Sequence, residues 1–245
     1  MPVRQKGRSE MAGKQRGEER RGEEMRQKII IRQIPIGDFE VFTYVVACPE
    51  TRETTIIDPA GEPEKILSVL SAEDLQARFI LNTHGHADHI LGNEALKEAL
   101  AVPVCLHRSD MDFFCNPPIK ETIEKELGLA CEATADIPLE DGQTLTLGNL
   151  EIKVIHTPGH TPGSCCFLTG GNLFTGDTLF VGATGRTDLT GGSLDTLLAS
   201  IRDKLLVLPP DTVIWPGHDY GDSPTSTLGR EMEENVYITE FILDE

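Results

Sequence analysis

The run Thr83-His84-Gly85-His86-Ala87-Asp88-His89 decides how this chain reads. It closes an apolar stretch, Arg78-Phe79-Ile80-Leu81-Asn82, with the character of a buried strand. Residues 91–100 follow, and there Leu91, Ala95, Leu96, Ala99 and Leu100 share one side of a helix. The motif thus occupies a strand-to-helix loop, a position from which rigid elements present functional groups. Imidazole and carboxylate are ligands that borderline divalent metals such as zinc accept. Gly85, without a Cβ, permits a tight backbone between His84 and His86, and Asp88 and His89 come a turn later. One short loop can therefore serve two neighbouring ions.

Three more segments complete the set: Thr157-Pro158-Gly159-His160, Thr175-Gly176-Asp177-Thr178 and Pro216-Gly217-His218-Asp219. Strands are expected at residues 145–147, 150–155, 165–168, 173–175 and 212–215, so each of these candidate ligands lies just past a strand, and all can converge on one sheet edge. His84, His86 and His160 are assigned to one metal, and Asp88, His89 and His218 to the other, with Asp177 bridging. Two ions roughly 3.5–4 Å apart lower the pKa of a shared water and stabilise the oxyanion formed when hydroxide attacks a carbonyl, so no Ser or Cys nucleophile is required. His107 and His156, outside these motifs, read as structural.

The remaining pattern is one alternating α/β body over residues 29–245. Hairpin-like strands at residues 29–31, 41–46 and 54–57 open it, a helix follows at residues 62–70, and a later helix at residues 194–205 is capped by Ser193. Residues 1–28 hold nine Lys/Arg and five Glu with few large apolar side chains, the composition of a flexible charged extension. The rest carries 13 basic against 35 acidic residues, within a total net charge of −18. Such a body repels a phosphate backbone and disfavours nucleic acid as a partner. No apolar run is long enough to span a membrane, and the six cysteines show neither C-x-x-C spacing nor the density of a stapled secreted domain. A reducing, cytoplasmic setting is expected, and a homodimer is compatible with the chain. Cys165 and Cys166 read as small apolar residues of a buried strand.

On these motifs the chain resembles the metallo-β-lactamase superfamily over about residues 29–240. The resemblance implies an αββα sandwich with its metal site at one edge. Thr175-Gly176-Asp177-Thr178-Leu179-Phe180-Val181-Gly182 looks like the glyoxalase II group, which hydrolyses S-lactoylglutathione. In that group the residues matching His84, His86, Asp88, His89, His160, Asp177 and His218 bind zinc, iron or manganese. Asp58 resembles an acid that orients the metal loop. Arg186, in Gly185-Arg186-Thr187-Asp188, and Tyr220 match positions that contact glutathione, with Asp188 standing where the group has an aromatic residue. The implied activity is hydrolysis of an S-acylglutathione-like thioester, with two divalent ions as cofactors, zinc foremost, and Asp88 and Asp177 as catalytic carboxylates. Persulfide dioxygenases resemble the chain in Ala87-Asp88-His89, Gly185-Arg186-Thr187-Asp188 and His218-Asp219-Tyr220. They imply the alternative of one Fe(II) on His84, His160 and Asp177 and oxidation of glutathione persulfide. A lactonase ranks behind both, and a noncatalytic binding module is disfavoured because every ligand position is filled.

Deletion of residues 1–28 is expected to leave activity and melting temperature unchanged, since so polar a segment adds little to a core. A melting temperature lowered by several degrees shows instead that the segment docks.

Overall fold

Strand β2 (Val41–Ala47) is buried along its whole length, and its two faces serve two different cores. Phe42, Tyr44 and Val46 point towards a second sheet, while Val41, Val45 and Ala47 point towards helices. A strand covered on both sides requires a layer on each face. The computed structural model describes residues 29–37, 39–130 and 133–243. The expected extension at residues 1–28 and Cys131 lie outside them.

The first sheet runs β1 (Ile30–Ile36), β2, β3 (Glu53–Ile57), β4 (Gln76–Leu81), β5 (Val104–His107) and β6 (Ile137–Leu139). Its first three strands are antiparallel and the rest pair in parallel. The second is ordered β14 (Ser226–Thr227), β13 (Val213–Pro216), β10 (Asn172–Gly176), β9 (Cys165–Thr169), β8 (Leu150–His156) and β7 (Thr144–Leu147), and a separate ribbon pairs β11 (Leu179–Phe180) with β12 (Ala183–Thr184). Between the sheets pack Phe42, Tyr44, Ile57, Leu81, Leu150, Val154, Phe167 and Phe174. Ile66, Leu70 and Leu96 of the helices Pro63–Ala72 and Asn93–Leu100 cover the outer face of the first sheet. Leu197, Ile201, Leu205, Leu228 and Ile238 cover that of the second. The result is the expected αββα sandwich.

Several elements differ from the sequence reading. The helix expected over residues 91–100 is preceded by a separate short helix, Ala87–Ile90, which carries Asp88 and His89. The helix expected at residues 194–205 is α-helical over Leu194–Ser200 and π-helical over Ile201–Leu205, with Ser193 accepting from Thr196 N–H as its cap. Strand β1 extends to Ile36, and Pro35 is tolerated because β1 is an edge strand. The helices Arg108–Phe114 and Pro117–Leu127 are additional to that reading. Among the described residues, no helix is long and apolar enough to cross a membrane.

Close packing fixes the His160 loop. Gly159 has φ +140°, and a Cβ there would lie 2.4 Å from the Leu197 backbone. Gly159→Ala is expected to cost about 2–4 kcal/mol through strain and overpacking. Urea unfolding of the metal-free protein measures it, and an unchanged midpoint refutes it.

Candidate metal centre

Both sheets deliver their functional side chains to the same end. From the first come His84 and His86 in the loop after β4, then Asp88 and His89 in the helix Ala87–Ile90. From the second come His160 after β8, Asp177 after β10 and His218 after β13. Gly85 is needed for proximity rather than for an unusual φ, since a Cβ there would meet the Phe114 ring at 2.5 Å. Gly217 likewise lets the chain pass Asp177, whose Oδ1 would lie 2.3 Å from an added Cβ.

The seven predicted ligand residues are brought together in two groups. Ligand atoms of His84, His86 and His160 lie within 4.8 Å of one another, as do those of Asp88, His89 and His218. Asp177 reaches both groups: Oδ1 is 3.3 Å from His89 Nε2, and Oδ2 is 3.5 Å from both His160 Nε2 and His218 Nε2. Asp88 Oδ2 is 3.7 Å from the Nε2 atoms of His89 and His218. Asp58, His84 and His89 are equally close, but the carboxylate of Asp58 is already engaged. It accepts from Thr83 N–H at 2.7 Å, from Thr83 Oγ1 at 2.6 Å and from His89 Nδ1 at 3.1 Å. It therefore orients the loop, as the resemblance implies. His160 donates Nδ1–H to the Arg186 carbonyl (2.7 Å) and His218 donates Nδ1–H to the Phe39 carbonyl (2.8 Å), which turns both Nε2 atoms inward.

This cluster fits a cation. His84 Nε2, His86 Nε2 and Asp177 Oδ1 are buried with no hydrogen-bond partner, and such orphans are rare. His86 Nδ1 and His160 Nε2 approach to 2.9 Å, and the Nε2 atoms of His89 and His218 to 3.2 Å. Facing ring nitrogens at that separation need a proton or a metal between them. Burial, reinforced by neighbouring histidines, holds His84 and His86 well below the usual imidazole range, and burial also lowers His160. One group thus offers neutral imidazoles. Burial opposes charge on His89 and His218 too, but Asp177 together with the hydrogen bonds each ring makes outweighs it. With Asp88 and Asp58 adding to the effect, His89 reaches about 10. Asp177 stays ionised, since His218 and His89 overcome its burial.

A cleft of about 280 Å³ opens onto the cluster, with Phe39, Phe180 and Tyr220 among its lining residues, together with Leu127, Leu129 and Leu189. Tyr220 stacks on His218 at 4.6 Å and 9°. Arg186 also lines the cleft, but its guanidinium is held by Asp188 through two 2.7 Å hydrogen bonds. The fork expected to bind a substrate carboxylate is thus filled from within the chain. His107 and His156 stack at 4.0 Å away from the ligand set, and His156 Nε2 pairs with the Pro162 carbonyl behind the His160 loop. Burial pushes the Cys166 thiol up to about 11 and Cys165 well above its usual value, in keeping with inert core residues. One functional candidate escaped the sequence reading. Asp110 is buried, and its carboxyl is pushed up to about 6 by burial against three hydrogen bonds. No motif surrounds it, and an acid in the first turn of a helix is commonplace.

The metallo-beta-lactamase superfamily model matches residues 36–218, and the chain belongs to that superfamily. Its members are metal-dependent enzymes, hydrolases and a dioxygenase among them. The chain is similar to human mitochondrial persulfide dioxygenase ETHE1, with 33% identity over 214 residues covering 86% of this chain and 76% of that one. Among solved structures it is similar to the BLEG-1 B3 metallo-beta-lactamase, with a TM-score of 0.77 and 36% identity over 86% of this chain and 100% of that one. It is also similar to TTHA1623 in a di-iron-bound form, with a TM-score of 0.72 and 36% identity over 84% and 99% of the two chains.

A metal taking His89 Nε2 must displace the proton held there. Metal binding to the metal-free protein is expected to release it between about pH 7 and 9, with affinity rising towards pH 10. Calorimetry in buffers of different protonation enthalpy measures the release, and His89→Ala should abolish that contribution. Because folding raises this pKa, the His89 charge stabilises the metal-free fold fully below pH 6.5, and that contribution is lost as pH rises through about 10.

Proposed function

We propose that the protein is a two-metal hydrolase of the glyoxalase II type, acting on an S-acylglutathione-like thioester. The observation that carries this reading is the reach of Asp177 into both ligand groups, at 3.3 Å on one side and 3.5 Å on the other. Asp88, His89 and His218 are assembled as closely as the first group and can hold a second ion, although the one-iron persulfide dioxygenases resemble the chain at the same positions. Two ions bound there, with zinc the first choice and iron or manganese also suited, would lower the pKa of water and polarise a thioester carbonyl.

The chain's own residues supply the rest. His84, His86 and His160 would hold one ion and Asp88, His89 and His218 the other, with the Asp177 carboxylate in reach of both groups. Asp88 also lines the cleft, where its carboxylate can take up the proton released as water attacks the carbonyl and return it to the thiolate that leaves as the carbon–sulfur bond breaks. Phe180 and Tyr220 give the cleft an apolar wall against which the acyl chain can pack. A carboxylate of the thiol half reaches Arg186 by exchange with Asp188, which costs little because that ion pair is exposed.

Similarity to a persulfide dioxygenase makes oxidation of glutathione persulfide on one iron the second reading. One set of measurements separates them: metal content, hydrolysis of S-lactoylglutathione, and oxygen uptake with glutathione persulfide. Two ions per chain and thioester hydrolysis are expected. Asp177→Ala should drop turnover to background with the fold retained, and His89→Ala and His218→Ala should cripple hydrolysis and lower the metal count. One iron per chain with oxygen uptake and no hydrolysis replaces this reading with the dioxygenase.

A further inference from the structure

Asp110 fastens two ligand loops that come from different sheets. It sits in the first turn of the helix Arg108–Phe114 and is fully buried. Its Oδ2 accepts from Gly85 N–H and from Thr161 Oγ1, each at 2.8 Å, and its Oδ1 accepts from Gly163 N–H at 2.5 Å. Gly85 lies between His84 and His86, and Thr161 follows His160. One carboxylate therefore holds the chain beside all three members of one ligand group. The approach is close by construction, because a Cβ on Gly163 would lie 2.4 Å from the Asp110 backbone nitrogen. Asp58 has different partners, Thr83 and His89, so the two carboxylates brace the centre from separate sides.

We infer that Asp110 is a positioning residue for the His84, His86 and His160 group, setting the distance between the two loops that carry it. Loss of Asp110 weakens metal binding in that half and spares the half formed by Asp88, His89 and His218. The selectivity between halves rests on the two-metal reading, but the dependence of the first half on Asp110 does not. Asn is the informative replacement. It keeps the shape but has one carbonyl oxygen, so its amide NH2 must face an N–H or hydroxyl donor that the carboxylate now satisfies.

The test is competition between the zinc-loaded protein and a chelator, counting zinc equivalents, with melting curves of the metal-free proteins alongside. In Asp110→Asn one equivalent is expected to leave at roughly 10–100-fold lower chelator activity, while the other behaves as in the wild type. The substitution should weaken the remaining zinc in a His218→Ala background and add nothing in a His160→Ala background. Thr161→Val, which removes one arm of the clamp, should loosen the same equivalent by a smaller factor and serves as the deciding variant if Asp110→Asn does not fold. Unchanged zinc affinity overturns the inference. So does equal weakening of both equivalents in step with a lowered metal-free melting temperature, which marks Asp110 as a general structural residue. If the wild type binds a single zinc, the two-metal reading fails by itself. The role of Asp110 then stands if that zinc weakens in Asp110→Asn and falls if it does not.

Discussion

Contact between the two inner sheet faces is the constraint on which the site depends. Four candidate ligands are carried by the first sheet and three by the second, so neither of the two groups is complete within one half of the chain. Apolar side chains such as Tyr44, Phe167 and Phe174 set the gap between the sheets, and close-packed interiors hold such a gap to a narrow tolerance. Backbone hydrogen bonds then lock the register where the ligands emerge. Cys165 N–H donates to the Thr83 carbonyl and Phe42 N–H to the Gly217 carbonyl, both at 2.8 Å. Each joins a residue adjoining a ligand to the opposite sheet. The apolar core and the chemistry are thus two ends of one mechanical element.

Electrostatics divides the seven side chains into unlike halves. Neutral imidazoles of His84, His86 and His160 accept a cation at little electrostatic cost, whereas Asp177 favours the charged form of His89 and His218 against their burial, with Asp88 adding to the effect at His89. In a buried setting such charges persist only when paired. The same carboxylates that hold protons on the metal-free histidines are well placed to face metal cations, so the cluster exchanges one kind of positive charge for another without rebuilding.

The candidate ligands were legible because they fall in short, glycine-bearing motifs next to strands with β-branched runs, the pattern a metal site calls for. His84 to His89 announce themselves within six positions, and His160, Asp177 and His218 each follow a recognisable strand. The supporting carboxylates are less visible. Asp58 was readable through family resemblance alone, and Asp110 not at all, because its three partners lie 25, 51 and 53 residues away. Non-local hydrogen bonds leave no period in a sequence. The helix Pro117–Leu127 did leave a period, with Ile119, Ile123 and Leu127 four residues apart behind its prolines, whereas Arg108–Phe114 spans only seven residues, too few for a period to show. The use made of Arg186 was also beyond reach, since only coordinates show that Asp188 takes its fork.

The chain has one tryptophan, and its location gives the protein an internal optical probe. Trp215 lies in β13, three residues before His218, stacked on Phe174 at 6.0 Å with the edge of Tyr44 at 5.9 Å. Its indole N–H donates to Asn172 Oδ1 at 3.0 Å, so the chromophore is fixed by the strand pairing that also delivers a ligand to the centre. Emission from this partly buried indole therefore reports on the seam between the sheets. Quenching or a wavelength shift on metal addition can be followed in real time without an added label, against a background that no second tryptophan contributes.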